Sequence, residues 1–234
     1  NRERVAKADI PRLIFCGVTG VGINMLLFFN GLNITSPVNA SLIMTVNPIL
    51  VLIASAVVLG QPIVRRRLGG VMIGGVGAAA ILLWSGSGDR VHASWQGDLM
   101  ILINATSYAF YLVAVKPLMS KYKPLTVVTW VFLFGWLFTT PIGWGQASEI
   151  DWGLFGPSEW MGVAYVVLAT TFLVYLLNIF AMRHLQPTVV SVYIYLQPLL
   201  ATLFSVAQAR YGGTDYMVDT GWPLWAFGAL IFLG

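Results

Sequence analysis

Apolar runs of about 20 residues, each closed by charge, proline or a polar turn, leave this chain few ways to fold. Eight can be marked, at about 12–32, 37–59, 68–85, 97–115, 125–144, 160–182, 187–209 and 222–234. A helix rises ~1.5 Å per residue, so such a run spans a hydrocarbon core of ~30 Å. Charged residues make up 9% of the chain and mean hydropathy is +0.79, whereas a soluble domain carries roughly 25% charge. The fold class this predicts is an all-α polytopic membrane protein.

One segment occurs twice. Pro37 to Pro48 recurs 150 positions later as Pro187 to Pro198. Each copy opens on proline, keeps a serine (Ser41, Ser191) and ends in an amide before proline (Asn47-Pro48, Gln197-Pro198). A fixed offset between similar segments marks a duplicated unit. At the same offset the run 12–32 falls on 160–182. After extra loop residues the offset becomes 159, so Gly69 meets Gly228 and Gly75 meets Gly234. The runs 97–115 and 125–144 have no counterpart in the first half. The expectation is therefore an inverted repeat of five-helix units with ten spans in full length. About eight are present, the first two missing and the last truncated. Residues 1–90 would hold the last three helices of the first repeat, and residues 91–234 the second.

Charge supports this count. With connections assigned alternately, one face takes Arg2, Arg4, Lys7, Arg12, Arg65, Arg66, Arg67, Lys116, Lys121, Lys123 and Arg183, 11 of the 13 basic residues. The other takes Arg90 and Arg210 with Asp89, Asp98, Glu149, Asp151, Glu159, Asp215 and Asp219. Basic short loops mark the cytoplasmic side, here of a cell (inner) membrane. An odd number of helices per unit sets the two halves in opposite orientations, the plan by which a central site opens to either side. The net charge of +4 forms no single-faced patch, so no nucleic-acid partner is expected. The partners expected are a small-molecule solute and the bilayer; oligomeric state has no signal.

The pattern resembles the drug/metabolite transporter superfamily, in particular its bacterial EamA-type members. The resemblance is carried by Asn39 to Leu50, Leu59-Gly60-Gln61-Pro62, the helix from Gly69 to Gly77, Gly97-Asp98, Ser107-Tyr108, and Val189 to Pro198. Gln61 stands where family members typically carry glutamate, and Arg210 to Gly213 replaces that segment in the second copy. The resemblance implies ten helices, an inverted five-helix repeat, cytoplasmic termini, and movement of small metabolites, often outward.

Pro48 and Pro198 lie about eleven residues into their helices. Proline lacks a backbone donor and clashes with the carbonyl four residues back, here those of Met44 and Ile194. In hydrocarbon such carbonyls must be satisfied by protein or by a cavity. Two roles are open: hinges flanking a translocation cavity, with Asn47 and Gln197 facing solute, or packing kinks. Asn104, Tyr108 and Tyr111 share one helix face by their spacings of four and three, as do Thr171, Tyr175 and Asn178. Tyr193 and Gln197 form a third stripe, whereas Asn24 has none. These nine neutral residues from Asn47 to Gln197 are the candidate cavity lining, and they suit an amphiphilic or zwitterionic solute. The alternative for each is hydrogen bonding between helices.

Other signals read as architecture. Gly70 and Gly74 form a helix-packing motif, and Trp84, Trp95, Trp144, Trp152, Trp160 and Trp222 an interfacial belt. Lys116 and Arg183 are expected to snorkel, and Asp98 to cap a helix. Cys16 is the one cysteine, which excludes an internal disulfide. His92 and His184 lie near span ends, and no phosphate loop or metal-ligand cluster is apparent, so no cofactor or metal is expected. The function expected is a secondary transporter, an exporter of a small organic metabolite or amino acid working by alternating access. A nucleotide-sugar or sugar-phosphate exchanger of the same superfamily is the alternative, and a membrane-embedded enzyme a distant one.

Overall fold

The computed structural model describes residues 3–35, 37–85, 94–200, 203 and 222–233. Arg2, the loop Gly86 to Arg90 with Asp89, His92, and the loop with Arg210, Asp215 and Asp219 lie outside the described residues. So do Gly234 and the side chains of Trp84 and Trp222.

The described residues form helices and no strands. α1 is Lys7–Ile34 and α2 is Asn39–Leu59. α3 is Arg65–Ser85. α4 is Trp95–Ser120, α5 Pro124–Ser148 and α6 Pro157–His184; α7 is the shorter Pro187–Leu200, and α8 is Trp222–Leu233. Five of them (α1, α2, α4, α5 and α6) are long and apolar enough to cross a membrane. The chain is a multi-pass membrane protein.

The start of α1 differs from the expectation. The first apolar run starts at about Arg12, yet α1 already begins at Lys7. Pro11 sits in the first turn of its α-helical part. There the missing N–H costs nothing, because the first turn has no internal acceptor for it.

The second half of α1 packs along α4, and its first half along α5. α2 lies between α4 and α7, while α3 packs against α8. The main core gathers Leu13 and Cys16 of α1, Tyr111 to Val113 of α4, Val127, Val128 and Val131 of α5, and Ile179 and Met182 of α6. A second cluster joins Val71 and Ala78 of α3 to Tyr195, Leu199 and Ile231. Gly74 of the predicted packing motif belongs here: a Cβ on it would lie 2.9 Å from the Tyr195 ring. Trp95, Trp144, Trp152 and Trp160 are exposed at helix ends, as an interfacial belt requires.

Candidate functional site

α1 does not wind evenly. Val18–Ile23 is a π-helical turn, which widens the coil and releases backbone carbonyls from their usual donors. Side chains from neighbouring helices take them up. The Ser107 hydroxyl donates to the Thr19 carbonyl at 2.8 Å, and Asn104 Nδ2 donates to the Asn24 carbonyl at 2.6 Å. The Tyr175 hydroxyl donates to the Gly20 carbonyl. Gly20 is required by space, because a Cβ would lie 2.5 Å from the Tyr111 ring. A second wide turn occupies Val166–Leu173 of α6. Val18 and Val166 stand 148 positions apart (166 − 18), and Ile23 and Leu173 stand 150 apart (173 − 23).

α2 and α7 are broken just ahead of their prolines. Thr45 and Val46 bond to carbonyls only three residues back, at 3.1 and 3.0 Å. Regular helix restarts at Asn47, with Pro48 in its first turn. In α7 the tight turn is Tyr193–Tyr195. Neither Pro48 nor Pro198 can donate to the carbonyl four residues back, which accounts for a break at each place.

A cavity of about 430 Å³ lies where these irregular stretches meet. Asn24 and Phe28 of α1, Met44 and Asn47 of α2, and Asn104, Tyr108 and Leu112 of α4 line one part. Thr170, Val174, Tyr175 and Asn178 of α6 line another, and α7 adds Val190, Ser191, Tyr193, Ile194 and Gln197. None of these side chains is ionised at neutral pH. Met44 and Ile194, whose carbonyls face the two prolines along the helices, are both in the wall. Asn178 Nδ2 donates to the Tyr108 hydroxyl at 3.1 Å. Asn47 and Asn104 are each 1% exposed, and each has a carbonyl oxygen with no partner.

The structure brings together seven of the nine residues expected from the sequence: Asn47, Asn104, Tyr108, Tyr175, Asn178, Tyr193 and Gln197. Asn104 and Tyr175 both stand in the cavity wall and bond to a neighbouring helix. Tyr111 is not in the wall. It is fully buried in the seam that Gly20 opens, its hydroxyl without a partner and its ring 6.0 Å from that of Tyr175. Thr171 is replaced by Thr170. A spacing of four from Tyr175 assumes a regular α-helix, and the wide turn puts the residue five back on that face instead. The stripes also missed Asn24, Phe28 and Ser191. For Asn24 the signal was a lone amide inside an apolar run.

Polar contacts tie the helix ends. The Lys116 ammonium donates to the Met182 and Leu185 carbonyls at 2.7 Å each; it completes the C-terminus of α6, where a cation is favourable. At the same end, Lys121 pairs with Asp9 at 2.9 Å, and the Tyr122 hydroxyl donates to Asp9 at 2.7 Å. Glu3 accepts from the Thr126 hydroxyl and the Lys123 N–H, which lower the pKa of its carboxyl from the ordinary value. Asp98 does not cap α4. It accepts from Thr35 at 2.5 Å and Asn39 at 3.3 Å, tying α4 to the α1–α2 turn.

Several known proteins resemble this chain. The transporter YetK of Bacillus subtilis, described as uncharacterized, is 25% identical over 202 residues, covering 86% of this chain and 61% of YetK. A probable terminal-alkyne amino-acid exporter of Streptantibioticus cattleyicolor is 27% identical over 140 residues, 60% of this chain and 46% of the exporter. The chain thus spans less than two thirds of the length of these curated relatives. A solved crystal structure shares the fold with a TM-score of 0.74 at 19% identity, covering 99% of this chain and 74% of that one. The profile of the EamA-like transporter family matches residues 2–83 and 95–212, so the chain belongs to the EamA-like transporter family of the drug/metabolite transporter superfamily.

Proposed function

We propose that the protein is a secondary transporter that moves a small organic metabolite, most naturally an amino acid or a close relative, across the cytoplasmic membrane by alternating access. The observation that carries this reading is the cavity of about 430 Å³ walled by neutral amides and phenols, set between two helices broken at their prolines. Its size fits a metabolite, and its wall offers hydrogen bonds and aromatic faces without fixed charge. A nucleotide sugar or sugar phosphate would need cations against its phosphates, and no described lining residue is cationic, which favours the first reading. Asn47, Asn104, Tyr108, Tyr175, Asn178, Tyr193 and Gln197 would contact the solute, and Pro48 and Pro198 would act as hinges.

The wide turns and the proline breaks recur at spacings of 148 to 150 positions, which supports two inverted five-helix units divided near residue 90 and ten spans in the whole protein. Basic loops would face the cytoplasm. Outward movement is the direction proposed, in line with the printed description of the Streptantibioticus cattleyicolor relative as an exporter. The experiment is a metabolite-export screen in cells producing the full-length protein, followed by counterflow in proteoliposomes. Flux of an amino acid or related metabolite, reduced by Gln197→Ala and Tyr108→Ala at unchanged protein level, is the expected result. Absence of flux for every class tested overturns the reading.

A further inference from the structure

Two buried acceptors in the cavity wall have no donor. Asn104 gives Nδ2 to the Asn24 backbone carbonyl at 2.6 Å. A carbonyl only accepts, so this bond fixes which end of the Asn104 amide is nitrogen. Its Oδ1 is then turned from Asn24 and has no partner, in a side chain 1% exposed. Asn47, across the α2–α4 contact, also holds an Oδ1 without a partner at 1% exposure. Two neighbouring donors are turned elsewhere: Tyr175 to the Gly20 carbonyl, and an N–H of Asn178 to the Tyr108 hydroxyl. The wall therefore holds two buried acceptors without a donor, and an unsatisfied buried acceptor is costly.

We infer that Asn104 and Asn47 are specificity-determining residues that receive the primary ammonium group of a zwitterionic solute, selecting it by its N–H bonds and not by its positive charge alone. The inference rests on the transport reading above. A primary ammonium has three donors for these two oxygens, whereas a quaternary ammonium has none. The faces of Phe28 and Tyr108 attract either cation, so the amide oxygens make the difference. Among the described residues the wall has no carboxylate to neutralise a lone cation, and an unpaired buried charge is expensive. A zwitterion brings its own counter-charge. The Tyr108 hydroxyl, whose oxygen accepts from Asn178, keeps its proton to donate to the solute carboxylate.

The test uses the full-length protein, with thermal-shift binding in detergent and counterflow in vesicles. The probes are α-amino acids, each paired with its N,N,N-trimethyl counterpart, and sodium ion alone. The expected result is that at least one amino acid binds about tenfold or more tightly than its trimethyl form, equivalent to ~1.4 kcal/mol. Asn104→Leu should abolish that preference by weakening the amino acid and not the trimethyl form. Asn47→Leu serves the same purpose if Asn104→Leu does not fold. Equal binding of both forms, an unchanged preference in the variant, or protection by sodium alone overturns the inference. If neither form binds while the vesicles carry another metabolite, the inference falls and the transport reading stands. If the vesicles carry nothing, both fall.

Discussion

The hydroxyl of Tyr175 donates to the backbone carbonyl of Gly20, joining the middle of α6 to the wide turn of α1. The two residues are 155 positions apart, and the bond satisfies a carbonyl in a turn whose winding frees such groups. Tyr175→Phe keeps the ring contacts with Tyr111 and Phe132 and deletes the donor. Hydrogen bonds within membranes average ~0.6 kcal/mol and reach ~1.7. A buried carbonyl left bare belongs at the upper end. The expected outcome is a loss of ~1–2 kcal/mol, read as a lower midpoint of thermal unfolding in detergent, with expression intact.

Gly20 tests the same seam from the other side. A methyl group there would meet Cγ and Cδ2 of Tyr111 at 2.5 Å. The ring is fully buried and cannot swing clear, so the backbones of α1 and α4 must separate. Gly20→Ala should cost ~1–3 kcal/mol as an overpacked core does. Tyr111→Leu in the same chain should recover part of that loss. A double-mutant cycle measures it; strictly additive effects would mean that the two residues do not compete for this space.

How much of this could be read from residue order follows from the physics behind each feature. The spans are legible because hydrophobic length is a local property, and the runs holding α1, α2, α4, α5 and α6 were each marked. The proline breaks are legible too, since Pro48 and Pro198 lack a donor in any surroundings. The wide turns are not. The one in α1 depends on side chains from other helices, Ser107, Asn104 and Tyr175, that donate to the freed carbonyls, and no local pattern announces those partners. The errors follow from that. Thr171 gave way to Thr170 because a regular helix was assumed through Val166–Leu173. Tyr111 was drawn into the seam because the space left by Gly20 is a tertiary feature.

Charge asymmetry makes the orientation directly measurable. Arg66 and Glu149 are both exposed, and Cys16 is buried, so the native thiol should be silent toward an impermeant maleimide. A cysteine at position 149 should label on intact cells, and one at position 66 only after the membrane is opened. Labelling of both in intact cells would contradict the proposed span count, because the two positions would then share one aqueous face.

The prolines separate a hinge from a simple kink. Pro48→Ala and Pro198→Ala each restore a donor opposite the carbonyls of Met44 and Ile194, which lets α2 and α7 wind through the breaks at Thr45–Val46 and Tyr193–Tyr195. Alanine adds a backbone donor and removes the ring's clash with the carbonyl four residues back, so thermal stability should hold or rise. If the breaks are the joints on which access alternates, a continuous helix lowers the population of one end state, and the counterflow rate should fall several-fold with solute affinity little changed. Rates within twofold of the parent for both variants, at equal or greater stability, would assign the prolines to packing and move the flexing elements elsewhere, with the wide turns at Val18–Ile23 and Val166–Leu173 the next to be stiffened.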